Sequence, residues 1–394
     1  MKPRTIRVAY MPLVDAAPLI IAHEMGFAQA EGVALDLAPA PSWSSVRDML
    51  AFGRVDAAHM LSPVPIATSM GLGGMATRMS SVSVLSVNGN VIGVSAALAD
   101  KLRATGFAFD FADPYAAATG LAQVADGPIN FGVPFPFSMH VELLRYWAEG
   151  TELGAQGITI RTVPPPLMAD ALKAGEVDAF CVGEPWGSVA VETGAGALLL
   201  PGNAIWAFAP EKVLAVRTQW AESEPVVLGR LVRAVWKAGR WLSDPAVRAT
   251  ASDLLSRKAY LDVSAELIDR ALSGHFTVSR WGHHRQVDGF LEFHAGAATF
   301  PWRSQAKWIA HRLRDTHGGP GLSDDEIADV VRPDLHRQHL DSAAIDLPGA
   351  SSKVEGAILS PTPVASAAGS IILRSDRFFD GQIFDPEPDS PPKK

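Results

Sequence analysis

Binding sites often form where apolar segments end. Three hydrogen-bond donors lie at such places in this sequence: Trp43, His140 and Lys212. The indole N–H of Trp43 only donates hydrogen bonds, which suits an anion's oxygen, although a tryptophan also packs in cores. His140 lies near the start of a predicted helix, where it could donate to an anion or simply cap the helix. Lys212 follows the aromatic, proline-containing stretch "FAP", and its alternative role is that of a solvated lysine. These residue types would suit an anion, and each of them keeps its structural alternative.

A repeated phrase indicates how the chain is built around these residues. "LAFGRVDAAHM" begins at Leu50 and "LKAGEVDAFCV" at Leu172. In each copy a glycine ends a predicted helix and Val-Asp-Ala enters a predicted strand. A lone carboxylate at such a turn usually bonds to nearby backbone, so we interpret Asp56 and Asp178 as structural residues. The site is expected in the segments around the two copies.

The elements around the repeat follow one order twice, over residues 5–60 and 128–182. Strand, helix, strand, helix and strand alternate in both stretches, which predicts two similar lobes with parallel-rich sheets. The helix of "SWSSVRDMLAFG" has Ser42 as its predicted cap, and that of "SMHVELLRYWAEG" starts near Ser138. Ligands of open parallel sheets lie beyond the carboxyl ends of the strands. A ligand is therefore expected between the lobes, near Trp43 and His140.

The rest of the chain is predicted in less detail. Residues 16–31 read as one helix, and "GALLLPG" and "KVLAVRTQW" read as strands. Helices follow, and the last fifty or so residues are expected to wrap the surface. We divide the chain into a first part of lobe 1 (residues 1–93), lobe 2 (94–203), the return to lobe 1 with its helices (204–340) and a surface-wrapping segment (341–394).

Composition excludes several classes of protein. The 394 residues carry a formal net charge of −8 and no basic run, so direct nucleic-acid binding is not expected. The single cysteine, Cys181, excludes disulfides within the chain and thiolate metal clusters. No apolar stretch reaches the length of a membrane span, and arginine, proline and aspartate interrupt the apolar residues near the N-terminus.

Catalytic signatures are also missing from the sequence. "GHHRQVDGFLEFH" contains His283, His284 and His294 but lacks the spacing of a zinc-binding helix, and we interpret it as a solvated helix start. A phosphate-binding loop and a nucleophile elbow are absent. We therefore predict a binding protein that is not an enzyme and that needs no metal or cofactor, with a biosynthetic enzyme on the same fold as the remote alternative.

Several long phrases resemble the substrate-binding proteins of nitrate and bicarbonate ABC importers. They extend from the first lobe to the C-terminal segment: "SWSSVRDMLAFGRVDAAHMLSPVPIATSMG", "HVELLRYWAEG", "VGEPW", "APEKVLAV", "FPWRSQAKW", "VVRPDLHRQ" and "FDGQIFDPE". The resemblance implies an α/β, two-lobed periplasmic-binding-protein type II fold with parallel-rich sheets flanked by helices and an interlobe ligand cleft. In the nitrate-binding branch the matching positions that hold the anion are Trp43, His140 and Lys212.

The resemblance adds a fourth ligand-binding position, at which this sequence differs from the family. An amide in the phrase that matches "VNGNVIGVS" contributes to the anion site, and here that residue is Asn90, which is shorter than the family's glutamine. The stretch "PFPFSMH" replaces a glycine-rich phrase, which predicts a more apolar wall. Nitrate, nitrite and bicarbonate all remain open as ligands.

The same resemblance includes a cytoplasmic branch, the NasS-type nitrate/nitrite sensors. Neither an export leader nor an N-terminal cysteine precedes the first predicted strand. On that basis we expect a cytoplasmic sensor without a membrane anchor, which binds nitrate or nitrite and controls a NasT-type ANTAR antiterminator protein of nitrate assimilation. The alternative is the substrate-binding receptor of a nitrate or bicarbonate ABC importer.

Overall fold

A six-stranded and a five-stranded sheet form the centres of two α/β lobes in the computed structural model, which describes residues 3–341, 343 and 345–387. Lobe 1 begins with four strands and four helices: β1 (Arg4–Tyr10), α1 (Ala17–Glu24), α2 (Phe27–Ala30), β2 (Val33–Pro39), α3 (Trp43–Ala51), β3 (Ala57–Leu61), α4 (Pro63–Ser69) and β4 (Met79–Asn88). The predicted mixture of helices and strands is confirmed.

Lobe 2 contains the second copy of the repeat and the strands on either side of it. Its elements are β5 (Asn90–Ser95), α5 (Ala96–Ala104), α6 (Pro114–Val124), β6 (Ile129–Val133), α7 (Met139–Glu149), α8 (Leu153–Gln156), β7 (Ile158–Thr162), α9 (Met168–Lys173), β8 (Ala179–Gly183), α10 (Trp186–Glu192) and β9 (Gly196–Pro201). The apolar stripe of α7 is buried, including Leu143, Leu144 and Trp147, which holds this helix against the sheet.

The chain then returns to lobe 1 and ends in a helical part and a C-terminal segment. These contain β10 (Pro210–Arg217), α11 (Thr218–Ser223), α12 (Pro225–Leu242), α13 (Arg248–Ser256), α14 (Ala265–Ser273), β11 (His275–Thr277), β12 (His284–Gln286), β13 (Leu291–Glu292), α15 (Arg303–His317), α16 (Asp324–Val330), α17 (Pro333–Asp341), β14 (Thr362–Ala365) and β15 (Ser370–Leu373). None of the helices in the described ranges has both the length and the apolar character that a membrane crossing requires.

The two sheets share one plan. In lobe 1 the strand order is β13-β4-β10-β3-β1-β2, and β1 runs parallel to β2 and β3. In lobe 2 the order is β7-β6-β8-β5-β9, and β6 runs parallel to β7 and β8. Antiparallel strands complete each sheet, because β10 pairs with β3 and β5 pairs with β8.

The aspartates of the repeated phrase have matching structural roles. A carboxylate oxygen of Asp56 accepts a hydrogen bond from the backbone N–H of Arg7 at 2.9 Å. In lobe 2, Asp178 accepts from the N–H of Asn130 at 3.0 Å. Each aspartate thus ties the start of one strand to its parallel neighbour, and the structural interpretation is confirmed.

The chain crosses between the lobes at two adjacent places. The first is Gly89, between β4 and β5, with a positive φ of 98° that suits glycine. The second is the stretch between the end of β9 at Pro201 and the start of β10 at Pro210. The predicted boundary at residue 93 therefore falls within β5, the strand that pairs with β8 of lobe 2.

Three predicted elements were wrong. The single helix over residues 16–31 is two helices, because the chain turns at Gly26 with a left-handed φ of 75°. The strand predicted to continue through Trp220 ends at Arg217, and α11 follows directly. The stretch around His283 starts no helix, since β12 pairs with β11 as a hairpin. Tertiary pairing overrode local patterns in the last two cases.

The C-terminal segment and α15 link the two lobes from outside. Arg312 of α15 forms a two-point ion pair with Glu149 of α7, with N–O distances of 2.7 and 2.8 Å. Asp380 accepts a hydrogen bond at 3.0 Å from the hydroxyl of Tyr146, also on α7. Phe378 packs with Trp206, at the crossing between the lobes. We call this set of contacts the outer brace.

Candidate functional site

The ammonium group of Lys212 is the centre of a buried polar cluster. Its Nζ lies 2.8 Å from Oδ2 of Asp15 and 2.9 Å from Oε1 of Glu211. All three side chains are at most 2% exposed. A buried lysine is stable only with partners of opposite charge, and here it has two carboxylates. The alternative that Lys212 is a solvated surface lysine is excluded.

Sheet topology brings these residues to one edge. Asp15 lies in the turn Val14–Ala16, which follows the carboxyl end of β1. Because β10 runs antiparallel to β3, its first residues lie beside the last residues of β3, and Lys212 pairs with Leu61. The start of β10 therefore lies at the edge of the sheet where parallel α/β folds place their ligands.

Trp43 stands next to this ammonium group. It begins α3, and its neighbour Ser42 caps the helix by accepting a hydrogen bond from the N–H of Ser45 at 3.2 Å. The Trp43 ring centroid lies 5.4 Å from the Nζ of Lys212 and 5.3 Å from the ring of His59. The indole Nε1 is buried and has no hydrogen-bond partner. A buried donor without a partner is costly, so it indicates a place for an acceptor.

His140 reaches the cluster from lobe 2. Ser138 caps α7 by accepting from the N–H of Val141 at 3.4 Å, which places His140 in the first turn. The Nδ1 of this buried ring lies 3.2 Å from Oε1 of Glu211, a distance typical of an ion pair but without hydrogen-bond alignment. The other nitrogen, Nε2, is buried without a partner, and a Cβ at Gly183 would lie 4.0 Å from it.

Asn90 joins the cluster from the first strand of lobe 2. Its Nδ2 donates a hydrogen bond of 2.9 Å to Oε2 of Glu211, while its Oδ1 is buried without a partner. The structure thus brings all four predicted residues around one carboxylate and one ammonium group. Their role in holding a ligand stays a prediction.

Sequence reasoning missed three members of the cluster: Asp15, His59 and Glu211. Two signals were available, since Asp15 lies in the strand-end stretch "MPLVDAAP" and Glu211 directly precedes Lys212. Nothing in the sequence pairs Asp15 with Lys212, because almost two hundred residues separate them. His59 lies within β3, where a histidine looks like a core residue.

Charge in the cluster is set by competition between burial and neighbours. Burial would raise the pKa of Asp15, but Lys212 and His59 outweigh it and hold that pKa below its usual value. Burial would lower the pKa of Lys212, but Asp15 and Glu211 raise it above the ordinary value. Burial raises the pKa of Glu211 to about 7, although Lys212 opposes this shift. Two carboxylates thus share one cation.

Burial disfavours the charged form of both histidines in the cluster. Burial lowers the pKa of His59, although Asp15 acts in the opposite direction. Its Nδ1 accepts a 3.4 Å hydrogen bond from the N–H of Met11, so the hydrogen is on Nε2, 3.0 Å from Oδ1 of Asp15. Burial lowers the pKa of His140 well below its ordinary value, and Lys212 lowers it further.

The two lobes are closed over the cluster. The N–H of Val14 donates to the backbone oxygen of Glu184 at 2.9 Å, and Trp186 Nε1 donates to the oxygen of Pro12 at 3.1 Å. A Cβ at Gly183 would lie only 2.7 Å from Cδ2 of Leu13. Because these contacts join the turn after β1 to the loop after β8, they exclude water from the cluster.

The wall next to His140 is apolar, as "PFPFSMH" predicted. Phe135 is buried in the same cluster of side chains as Trp43 and Leu13, and Phe137 packs against it. Apolar walls lower the local dielectric constant and strengthen each polar contact inside. The site combines directional N–H groups with a dry environment.

The structure offers no alternative metal centre in the part of the chain that it describes, where no three His, Cys, Asp or Glu side chains could hold an ion together. His283 lies next to the β11–β12 hairpin, and His284 belongs to it. His294 packs edge-on against Trp236. Cys181 is buried, and burial raises the pKa of its thiol well above the ordinary value.

Comparison with known proteins agrees with this geometry. The chain is 33% identical over 309 residues to the nitrate import ATP-binding protein NrtC of Synechocystis sp. PCC 6803, covering 78% of this chain and 45% of that protein. It thus spans less than half the length of that relative. It is 29% identical over 391 residues to the nitrate/nitrite binding protein NrtA of Nostoc sp. PCC 7120, covering 97% of this chain and 83% of that one.

A solved structure shows the same architecture over nearly the whole chain. The crystal structure of the periplasmic nitrate-binding protein NrtA from Synechocystis PCC 6803 matches with a TM-score of 0.82 and 26% identity, covering 98% of this chain and 96% of the other. The predicted two-lobed periplasmic-binding-protein fold is confirmed, and these relatives are binding and transport proteins. The model of the NMT1-like family matches residues 1–256. This chain belongs to the NMT1-like family.

Proposed function

We propose that this chain binds nitrate or nitrite between its lobes and serves as the substrate-binding receptor of an ABC-type importer. One observation carries the proposal: the buried ammonium group of Lys212 lies 5.4 Å from the centre of the Trp43 ring, whose indole N–H has no partner. Relatives named as nitrate/nitrite binding proteins extend over 97% of the chain, which supports the same ligand class.

The donors match the needs of a small planar monoanion. Such an anion requires several N–H groups and one full positive charge in a dry site. Lys212 supplies the charge, Trp43 a rigid donor, and His140 and Asn90 further polar atoms. A hydrogen bond to a charged group contributes about 1.5–3 kcal/mol, so three contribute about 4.5–9 kcal/mol, and only the upper end of this range reaches the roughly 8.2 kcal/mol of micromolar binding.

Ligand entry requires the lobes to open at the two crossings near Gly89 and residues 201–210. The contacts Val14–Glu184 and Trp186–Pro12 would break on opening and form again on closure. An anion bound to Lys212 would also contact His140 of the other lobe only in the closed state. Its binding therefore favours closure, because a ligand shifts an equilibrium through its higher affinity for one state.

Calorimetric titration of the purified protein with nitrate, nitrite, bicarbonate and an alkylsulfonate tests the proposal. We expect micromolar binding of nitrate or nitrite and weaker binding of the other two. Bicarbonate stays a competing ligand, because some relatives are named bicarbonate transport ATP-binding proteins. If bicarbonate bound more tightly than nitrate and nitrite, we would assign bicarbonate as the substrate. Binding of none of the four would contradict the proposal.

The cytoplasmic sensor of the NasS type is our second proposal, and it rests on the sequence resemblance alone. In that role the anion-free chain would hold a NasT-type ANTAR antiterminator, and the closed, anion-bound chain would release it. Cell fractionation tests the location, and pull-down of an ANTAR partner with and without nitrate tests the role. Release by nitrate would favour the sensor, whereas recovery with an ABC permease would favour the importer.

A further inference from the structure

We propose that the anion binds together with one proton, which the Glu211–His140 pair takes up, and that this proton makes Nε2 of His140 a donor to the anion. The inference deepens the proposed function and rests on it, because it concerns the same site and the same ligand. Glu211 is then a positioning residue, because its protonation determines which nitrogen of the His140 ring carries the hydrogen.

The charge of the cluster is the first argument. Among the lysines and arginines that the structure describes, only Lys212 contacts Asp15 and Glu211. With both histidines uncharged, the cluster therefore carries one net negative charge while both carboxylates are ionised. A nitrate ion at Lys212 would then be a third negative charge within a dry site. Like charges at short range disfavour ionisation, and one proton on the cluster relieves the repulsion.

The hydrogen on His140 is the second argument. When Glu211 is ionised, the negative charge of Oε1, 3.2 Å from Nδ1, favours the neutral ring with its hydrogen on Nδ1, and a small rotation of the ring would align the two for a hydrogen bond. The neutral ring then presents a lone pair at Nε2, which repels an anion. With one more proton on the pair, Nε2 carries a hydrogen in either arrangement: Glu211 is a neutral acid donating to Nδ1, or His140 is an imidazolium. Because the two groups lie 3.2 Å apart, we expect them to share this proton and to titrate as a unit.

The unpartnered polar atoms of the site are consistent with this uptake of a proton. Nε2 of His140 is buried and unpartnered, as expected for a group that awaits a ligand. The Oδ1 of Asn90 is also unpartnered, while its Nδ2 donates to Oε2 of Glu211. When the added hydrogen lies on Oε1, Oε2 can still accept the hydrogen bond from Nδ2 of Asn90, so this contact is kept in both protonation states.

The surrounding groups leave Glu211 as the acceptor. Lys212 from the same strand and Asp15 from the turn after β1 act on its charge, and burial raises its pKa to about 7. His59 of β3 faces Asp15 on the far side, and the Cys181 thiol of β8 is neutral.

Two other buried glutamates have pKa values raised to about 7 by burial. Glu184 accepts a hydrogen bond from the N–H of Ser188, and the charge acting on it is that of Arg270. Glu142 is influenced mainly by Arg312. Lys212 acts on neither of them, so an anion at Lys212 would have little effect on their protons.

Calorimetry with sodium nitrate between pH 6 and pH 9, in pairs of buffers with different ionisation enthalpies, tests the inference. Nitrate stays ionised throughout this range, so any pH dependence comes from the protein. If only the protonated pair binds, affinity falls about tenfold per pH unit above 7. Near pH 8 the two buffers should reveal uptake of about one proton per nitrate.

Glu211→Gln should remove this dependence. Its amide mimics the protonated acid and can donate to Nδ1, which keeps the hydrogen on Nε2, so affinity should be tight and constant from pH 6 to pH 9. Glu142→Gln is the matched control and should keep the wild-type profile. A slope that survives in Glu211→Gln would overturn the inference.

The wild-type protein alone also decides the question if the variant fails to fold. Nitrate binding with constant affinity and no proton uptake would overturn the inference and leave the proposed function intact. Absence of both nitrate and nitrite binding at every pH would contradict the proposed function itself.

Discussion

The Nζ of Lys212 lies 5.4 Å from the centre of the Trp43 ring, whose indole N–H is buried and unpartnered. The two residues come from the two separate parts of the lobe 1 sequence, Trp43 at the start of α3 and Lys212 on β10. Neither lies in the repeated phrase that dominates the sequence pattern, and their proximity is what turns a structural cleft into a candidate binding site.

Trp43→Phe should weaken nitrate binding about tenfold or more. Phenylalanine keeps most of the ring packing but loses the indole N–H, and a hydrogen bond to an ion contributes about 1.5–3 kcal/mol. Calorimetric titration measures the change. Trp206→Phe is the matched control, because Trp206 also has a buried, unpartnered Nε1 but packs with Phe378. Equal affinity in Trp43→Phe and wild type would exclude the indole as a donor.

Lys212→Met should abolish nitrate binding and also destabilise the fold. It leaves two buried carboxylates without their cation, which costs about 3–5 kcal/mol in free energy of unfolding at pH 8. Denaturant unfolding and calorimetry together separate the two effects.

Lys353→Met provides the control for this variant. Lys353 is a second buried lysine between two carboxylates, those of Glu355 and Asp376, in the C-terminal segment. The Lys353→Met protein should lose about as much free energy of unfolding as Lys212→Met and should keep its affinity for nitrate. Loss of binding in both variants would show that Lys212 acts through the fold alone.

Gly183→Ala should hold the lobes apart. The new Cβ would lie 2.7 Å from Leu13 and 3.6 Å from the carboxylate of Asp15, on the other lobe. Overpacking of this kind costs about 1–3 kcal/mol in the closed state, so nitrate affinity should fall about tenfold. Small-angle scattering with nitrate should show a wider molecule. Gly349→Ala, whose Cβ meets nothing closer than 3.8 Å, should behave as wild type. A Gly183→Ala variant that closes and binds nitrate as tightly as the wild type would contradict the proposed closure.

Acid should unfold the protein in part through His336. Burial lowers its pKa to about 4, against a usual value of 6.5, and its Nδ1 lies 3.1 Å from the backbone oxygen of Val82. The unfolded chain binds the proton more readily, so stability is present above pH 6.5 and is lost as pH falls towards 4. The slope is about 1.4 kcal/mol per pH unit, or about 3 kcal/mol in total.

His336→Gln tests this contribution by denaturant unfolding between pH 4 and pH 8. Glutamine can donate to Val82 but does not titrate. About one proton fewer should be bound on unfolding in acid, so the free energy of unfolding should change less steeply with pH. His284→Gln, an exposed control, should leave the slope unchanged. An unaltered slope in His336→Gln would assign the acid sensitivity to other buried groups.

Local sequence patterns predicted the lobes and the helix starts well. Ser42 and Ser138 cap α3 and α7 as their positions indicated, because a serine cap acts on residues only three positions away. The same rule explains why Trp43 and His140 could be placed at helix starts from the sequence.

The charge balance of the cluster could not be predicted in this way. Asp15 and Lys212 are distant in sequence, and they meet because β3 pairs with β1 on one side and with β10 on the other. Glu211 was adjacent to a predicted residue, yet strand alternation alone does not indicate that its side chain turns towards His140. Residue types thus indicated the chemistry, while sheet topology decided which charges share the site.

The outer brace has a consequence for kinetics. Arg312–Glu149 and Tyr146–Asp380 lie far from the anion, yet they connect the lobes that must separate for release. Weakening them would destabilise the closed state, so the lobes would open more often, dissociation would be faster and affinity would fall. The residence time of a captured anion therefore depends on the outer surface of the molecule as well as on the cleft that selects the anion.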